Sequence, residues 1–179
     1  MNDTAVQKTS ASEAKETGRQ EIQLACFRVG DQLYGLDILR IREIVRPQKL
    51  RPVPKAPSFV EGVMNLRGAV IPVVDLRRRF ELEVPPEDRQ TRIMISALAG
   101  RIVGLLVDEV AEVRRYSRQE IQPAPHFLKG RGVEYFLGVC RREEDLILIL
   151  DLEKLLSTDE KFDIPILSQP LPVLTGEDQ

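Results

Sequence analysis

Short apolar runs, broken by turn residues at intervals of about eight to twelve positions, fill the chain from residue 21 to residue 157. Spacing of this kind is typical of an all-β barrel or sandwich. The runs predict about ten short strands, which is more than one small barrel uses. The hydrophobic pattern therefore predicts a mainly β fold of two small barrels, with short helical turns between strands.

Turn residues between the runs predict how the strands pair. Gly30-Asp31, Gly68 and Ala99-Gly100 each lie between two strand-like runs and predict hairpins there. The last two strands are expected to pair across a charged tip, 142–145. Pro72 cannot donate a hydrogen bond to a sheet, so its strand is predicted to lie at an edge or to contain a bulge.

One segment, 36–45, fits a helix as well as a strand. Asp37 can cap a short helix on which Ile38, Ile41 and Val45 would share one face. A strand stays possible for the last few residues of the segment.

Capping residues predict three further helical turns. Asp75 and Asp151 each precede a short helix, and Ser117 with Glu120 forms a capping box. The segment 47–57 contains four prolines and is predicted to be an irregular, exposed loop.

Both ends of the chain are expected to lie outside the folded domain, which is predicted to span 21–157. Residues 1–20 are small, polar and of mixed charge, and they cannot bury enough apolar surface to become ordered. We therefore predict a flexible N-terminal tail. The Pro-rich C-terminal tail, 158–179, has an apolar stretch with three prolines, which excludes it from a sheet interior or a helix. It either lies across the domain surface or stays extended for a partner.

Charge and cysteine content narrow the function classes. The chain has 26 basic and 28 acidic residues and a net charge of -2, whereas nucleic-acid-binding proteins usually present a clearly basic surface. Cys26 and Cys140 lie far apart in apolar runs and are predicted to be free, buried thiols in a reducing compartment. No apolar run approaches the roughly 20 residues of a membrane span, and the N-terminal residues lack a secretory pattern. We therefore expect a soluble protein of the cytoplasm.

Catalytic and ligand-binding motifs are missing from the sequence. His126 is the single histidine, which excludes a zinc site with two histidines, and its proline-flanked position predicts an exposed spectator. The chain has no C-x-x-C, G-x-S-x-G or Walker A pattern and no kinase signatures. We therefore predict no enzymatic activity, no metal and no cofactor, which leaves binding as the function.

The stretch 61–80, EGVMNLRGAVIPVVDLRRRF, closely resembles the central motif of CheW domains. Other segments are similar to parts of this family in the same order, namely 26–45, 101–113, 121–127 and 146–156. The resemblance covers residues 21–156, and chance agreement of all five segments is negligible. It implies two intertwined five-stranded SH3-like β-barrels.

The same resemblance implies a non-catalytic adaptor of bacterial chemosensory signalling. Members of this family bind the tip of the chemoreceptor coiled coil and the regulatory domain of the CheA histidine kinase. Contacts with other copies of the adaptor are a further expectation. With no receiver or kinase segment in the chain, the likeness is to a stand-alone CheW rather than to CheV or CheA. Such a protein is recruited to receptor arrays at the inner membrane without inserting into the bilayer.

The resemblance also implies where the partners bind. Glu43 and Arg67 match family positions associated with receptor coupling, and their charges allow them to pair with each other. Asn65 and Gly68 favour a tight turn around Arg67, and Gly62 is expected to permit close backbone approach. The predicted receptor contacts are Ile38, Ile41, Glu43, Ile44, Gly62, Asn65 and Arg67.

A proline-rich loop is the second predicted interface. Phe127 and Pro125 match the family loop that joins adaptor and kinase into rings, although an aromatic residue there also fits a plug for the local core. Gln122 stands where some relatives have an arginine, which argues against a charged ring contact at that position.

A nucleic-acid-binding β-barrel is the alternative function. Three arginine clusters favour it, namely 77–79, 114–115 and 141–142. Acidic residues interrupt these clusters, and few aromatic rings lie near them to stack on bases. We therefore expect no nucleic-acid partner.

Overall fold

The structure is a computed structural model that describes residues 21–98, 100–124 and 133–157. The predictions for the two tails, and those for Pro125, His126 and Phe127, concern residues outside these ranges.

The described residues form ten strands, which confirms the mainly β prediction. The strands are β1 Glu21–Val29, β2 Gln32–Asp37, β3 Ile41–Val45, β4 Val60–Leu66, β5 Ala69–Asp75, β6 Arg92–Leu98, β7 Arg101–Val107, β8 Glu109–Ser117, β9 Phe136–Arg142 and β10 Asp145–Leu150. Two short α-helices follow strands, α1 Leu76–Arg79 and α2 Leu152–Leu156. Single 3₁₀ turns lie at Ile38–Arg40, Arg118–Glu120 and Val133–Tyr135.

The strands assemble into two five-stranded sheets. The sheet β8-β1-β2-β10-β9 is called the first barrel, and the sheet β3-β6-β7-β5-β4 is called the second barrel. No continuous ladder joins the two edge strands of either sheet, so each SH3-like barrel is open along one side. The chain leaves the first barrel after β2 and returns to it with β8, so the barrels are intertwined, as predicted.

Three apolar cores explain why many runs lack the alternation of a half-exposed sheet. Each barrel has its own core, and a larger core lies between the barrels. On β7, for example, Leu105 belongs to the shared core and its neighbour Leu106 to the core of the second barrel. Strands buried on both faces need apolar side chains at successive positions. The two barrels therefore form one folded unit.

The two barrels also repeat each other residue by residue, which the sequence analysis missed. The hairpin within residues 59–76 has the same pairing register, including the irregularity, as the hairpin within residues 135–152. The amide nitrogen of Asp75 donates to the carbonyl of Phe59 over 2.8 Å, as that of Asp151 donates to Tyr135 over 2.7 Å. Both aspartates then cap a short helix. The identical residues are Gly62 and Gly138, Val63 and Val139, Ile71 and Ile147, Asp75 and Asp151, and Leu76 and Leu152.

Segment 36–45 is mainly a strand, so the shared helical face predicted for Ile38, Ile41 and Val45 is wrong. Asp37 caps only one 3₁₀ turn, by accepting a hydrogen bond from the amide of Leu39 over 2.9 Å. From Ile41 onward the chain pairs with β6. The bulge in β3 puts Ile41 and Val45 on opposite faces, with Ile41 packed against the shared core and Val45 against the core of the second barrel.

The prediction that Pro72 marks an edge strand or a bulge is also wrong. β5 lies between β4 and β7 in the sheet. Its parallel pairing with β7 starts at Val73, so the missing N–H of Pro72 lies ahead of that ladder. The irregular pairing between β4 and β5 falls between Val60 and Gly62 instead.

Candidate functional site

The candidate site is built around the turn that joins β4 and β5. Leu66 pairs with Ala69, and Arg67 and Gly68 between them have φ of 50° and 85°. Two successive left-handed residues are the geometry of a type I′ hairpin turn. The side chain of Asn65 holds the turn by accepting a hydrogen bond from the amide of Gly68 over 2.9 Å. The predicted tight turn is confirmed, and it presents Arg67 at the tip of the hairpin.

The side chain of Arg67 reaches across the open side of the second barrel to Glu43. Its Nη2 donates a hydrogen bond to Oε1 of Glu43, which confirms the predicted pair. β3 and β4 are the two edge strands of this barrel, so the ion pair joins edges that share no continuous ladder. The side chain of Arg67 is 71% exposed and that of Glu43 is 31% exposed, so the pair lies at the surface.

A backbone contact joins the segment after β3 to the other edge strand, β4. Arg51 and Val63 exchange two backbone hydrogen bonds, of 2.9 and 2.8 Å. Gly62 allows this approach because a Cβ there would lie 2.5 Å from the carbonyl oxygen of Arg51. Its φ of 151° also favours glycine. The predicted close backbone approach at Gly62 is confirmed.

Two of the three apolar residues of β3 lie on the other face from Glu43. A register shift lies between Ile41 and Glu43, so Arg42 is the extra residue of a bulge. Ile41 and Ile44 therefore share a face, on which Ile41 packs against the shared core and Ile44 stays 43% exposed. Glu43 lies beside Ile95, a core residue of the second barrel. Ile38 precedes this strand in the 3₁₀ turn and is partly buried.

Leu39 is an exposed apolar residue that the sequence analysis missed. It lies in the 3₁₀ turn before β3 and is 88% exposed. Its neighbour Arg40 lines a groove of about 270 Å³ between the barrels, together with Leu98 of the second barrel and Leu137 of the first. Leu39 lies between Ile38 and Arg40 in the sequence, and this local pattern did not indicate that its side chain points outward.

The first barrel has its own counterpart of the Glu43 pair. Glu112 on β8 lies beside Cys26, as Glu43 lies beside Ile95, and a bulge precedes both glutamates. Glu112 lies 3.1 Å from Nε of Arg114 and also contacts Arg142 of β9. The counterpart of Gly62 is Gly138, where a Cβ would lie 2.6 Å from the carbonyl oxygen of Gln122. Each barrel thus joins its edge strands with a Glu–Arg pair and a backbone bridge.

The two cysteines lie in the core of the first barrel, as predicted, and both are free and buried. Burial raises the pKa of Cys140 to about 11. Burial and the nearby carboxylate of Glu112 raise the pKa of Cys26. Both thiols therefore stay protonated and unreactive at neutral pH.

Metal-binding clusters and membrane-spanning helices are both absent from residues 21–98, 100–124 and 133–157. No group of three or more His, Cys, Asp or Glu side chains there could hold a metal ion. None of the helices in these ranges has the length and hydropathy to span a bilayer.

Comparison with known proteins gives one consistent family. The family model for the CheW-like domain matches residues 23–160. The chemotaxis protein CheW of Treponema pallidum is 37% identical over 145 residues, 79% of this chain and 85% of that protein. The protein FrzA of Myxococcus xanthus is 35% identical over 146 residues, 78% of this chain and 88% of that protein.

A solved structure is similar over the same region. The scaffolding protein CheW of Thermoanaerobacter tengcongensis matches with a TM-score of 0.72 and 32% sequence identity. The match covers 78% of this chain and 95% of that one.

Proposed function

This chain belongs to the family of CheW-like domains, and on that premise we propose that it is a non-catalytic adaptor that couples chemoreceptors to a CheA-type histidine kinase. Its relatives named CheW are chemotaxis proteins, and the similar solved structure is described as a scaffolding protein. We propose that it acts in the cytoplasm, at receptor arrays on the inner membrane.

The Glu43–Arg67 pair is the observation that carries the receptor part of this proposal. A receptor tip is an amphipathic helical hairpin, so a partner surface needs apolar anchors and a few charges that fix the register. The ion pair supplies the charges at the open side of the second barrel. Leu39 and Ile44 are the exposed apolar residues nearest to Glu43 in the sequence. Ile38 and Ile41 support them from partly buried positions.

The kinase part of the proposal depends on the family resemblance. The regulatory domain of CheA shares this fold, so the expected contact is one barrel against another. Pro125 and Phe127 remain the predicted contact residues. They are expected to contact the kinase domain or other copies of the adaptor in a ring. Gln122, where some relatives have arginine, is held by a backbone bridge to Val139 of β9. This bridge fixes the start of the loop that leads to Pro125.

The alternative function, nucleic-acid binding, is disfavoured because each of the three arginine clusters has an arginine that is engaged within the fold. Arg77 is 2% exposed and bonded to Asp75. Arg114 and Arg142 both contact Glu112. Arginines held in this way are not available to phosphates, which need free guanidinium groups.

Reconstitution of the three components tests the proposed function. Purified kinase is mixed with a receptor-tip fragment, with and without this chain, and kinase autophosphorylation is measured. We expect the receptor fragment to change kinase activity only when this chain is present. A chain that binds neither partner, but shifts a generic DNA duplex at physiological salt, would establish the alternative instead.

A further inference from the structure

The helix α1 lies between the two barrels and contacts two separate parts of the first barrel. It follows β5 and so belongs to the second barrel. Two of its residues link it to different parts of the first barrel, Arg77 through Asp108 and Arg79 directly. The two arginines contact different residues.

Arg77 binds two carboxylates, and one of them, that of Asp108, connects α1 to the β1–β2 hairpin. Its Nε and Nη2 donate to the two carboxylate oxygens of Asp75, over 2.9 and 3.1 Å. Its Nη1 donates to Oδ1 of Asp108 over 3.2 Å. Asp108 lies between β7 and β8, and its Oδ2 accepts a hydrogen bond from the amide of Gly30 over 2.7 Å. Burial alone would lower the pKa of Arg77, but the hydrogen bonds and charges of the two carboxylates outweigh it and raise that pKa.

Arg79 connects α1 to the last turn and helix of the first barrel. Its guanidinium lies between two rings, 4.4 Å from the centroid of Phe59 and 4.7 Å from that of Tyr135. Its Nε donates to the carbonyl of Leu155 over 2.9 Å, and its Nη2 to that of Ser157 over 3.3 Å. Phe59 and Tyr135 occupy equivalent positions in the two repeats. Arg79 therefore contacts equivalent positions of the two barrels.

Burial of apolar surface holds the barrels together but fixes their angle poorly. The shared core supplies much apolar contact, and hydrophobic attraction is not directional. A guanidinium group is planar, and its hydrogen bonds and ring stacking fix direction as well as distance. The arginines thus add directional contacts to those of the shared core.

We propose that α1 is a brace that sets the angle between the two barrels, and that Arg79 is a positioning residue for adaptor function. This inference rests on the proposed function, because an adaptor that contacts different partners with different barrels transmits a signal only if the barrels keep a fixed angle. Loss of the brace is then expected to uncouple the partners while each still binds. Arg79 need not touch either partner.

The first experiment measures the angle itself. Spin labels are attached at Arg101→Cys in the second barrel and Glu144→Cys in the first, both exposed positions, while the native thiols are buried. Distance distributions are recorded for the parent protein, for Arg79→Leu and Arg79→Lys, and for Arg78→Lys as a control. Arg78 is the neighbouring arginine, with 44% of its side chain exposed. We expect a broader or shifted distribution for both Arg79 variants. The control variant is expected to keep the distribution of the parent protein. Unchanged distributions in both Arg79 variants overturn the brace.

The second experiment measures coupling. Binding of the receptor-tip fragment and of the kinase regulatory domain is expected to change by less than about threefold in Arg79→Lys, while receptor-dependent kinase control falls about tenfold or more. Full control in that variant overturns the positioning role, as does a loss of control fully explained by lost binding. If Arg79→Leu does not fold, Arg79→Lys decides, because lysine keeps the charge and loses the planar stacking. A parent protein that binds neither partner contradicts the proposed function, whereas the distance measurement still tests the brace.

Discussion

The carbonyl oxygen of Arg51 occupies the space that a side chain on Gly62 would need, because a Cβ on Gly62 would lie 2.5 Å from it. The contact is part of a backbone bridge that joins the segment after β3 to β4. The same relationship recurs between Gln122 and Gly138 in the first barrel. Glycine is therefore required at both places by a close backbone approach, and at Gly62 also by its φ of 151°.

Gly62→Ala is expected to destabilise the protein more than Gly68→Ala does. Both glycines have positive φ, which costs roughly 1–3 kcal/mol for a residue with a side chain. At Gly68 a new Cβ meets open space, whereas at Gly62 it also collides with the Arg51 carbonyl. Chemical denaturation of both variants measures the two unfolding free energies. Equal losses would show that the bridge yields without cost and that φ alone requires glycine.

Much of the fold could be predicted from the sequence because turn and cap residues act locally. Gly30 and Gly68 mark hairpins, and Asp75 and Asp151 cap helices, as predicted. The Glu43–Arg67 pair was also predicted, but only because the family motif placed the two residues together. Their separation in the chain gives no local signal of contact.

The sequence-based predictions were wrong where tertiary contacts determine the local structure. Ile41 and Ile44 share a face because of the bulge at Arg42, and a bulge has no clear pattern in a single sequence. Pro72 is tolerated in an interior strand because the ladder on one side starts only after it. Leu39 is exposed although it is as apolar as the buried Leu36. The repeat of 59–76 in 135–152 has only a few identical residues in the sequence, namely spaced Gly, Val, Ile, Asp and Leu. So few identities give a weak signal of a repeat.

Arg77→Met is expected to destabilise the protein by roughly 3–5 kcal/mol, because it leaves the carboxylate of Asp75 buried without its main partner. Asp75 is 1% exposed. Arg78→Met, a change of the same kind at a half-exposed position, should cost much less. Denaturant unfolding of both variants provides the measurement.

A double variant, Asp75→Leu with Arg77→Met, separates the buried charge from the lost cap. Removing both charges should recover part of the loss, since the carboxylate of Asp75 is no longer buried without its partner. About 1 kcal/mol stays lost, because the Asp75 cap of α1 is gone. A double variant less stable than Arg77→Met would contradict this explanation.

Cys140 is expected to make stability fall at alkaline pH. Its pKa is raised by burial from 9.0 to about 11, so folding favours the protonated thiol. This contribution is fully present below pH 9.0 and is lost as the pH rises towards about 11. Unfolding free energies of the parent protein and Cys140→Ala, measured across that window, should fall less steeply for the variant. Tyr34, whose pKa burial raises to about 12, acts in both proteins and cancels in the comparison. Parallel pH dependences would contradict the assignment to Cys140.

Arg67→Glu is expected to abolish receptor-dependent kinase control while the protein still folds. The side chain is mostly exposed at a hairpin tip, so the change removes no core contact. It places two carboxylates together at the open side of the second barrel, and it repels acidic groups on a receptor tip. Loss of receptor binding is expected to be roughly 2–5 kcal/mol. Receptor-tip binding is measured by calorimetry, with Arg101→Glu, at the other hairpin of the same barrel, as the matched control.

The charge-swapped double variant, Glu43→Arg with Arg67→Glu, shows whether the pair acts as a unit. If the two side chains interact directly, the swap restores their attraction and recovers part of the binding, giving a measurable interaction energy. The melting temperature of each variant should stay close to that of the parent protein, because an exposed pair contributes about 1 kcal/mol or less to stability. Normal receptor coupling by Arg67→Glu would place the receptor surface elsewhere on the protein. Normal folding with lost coupling, and partial recovery in the swap, would locate it at the open side of the second barrel.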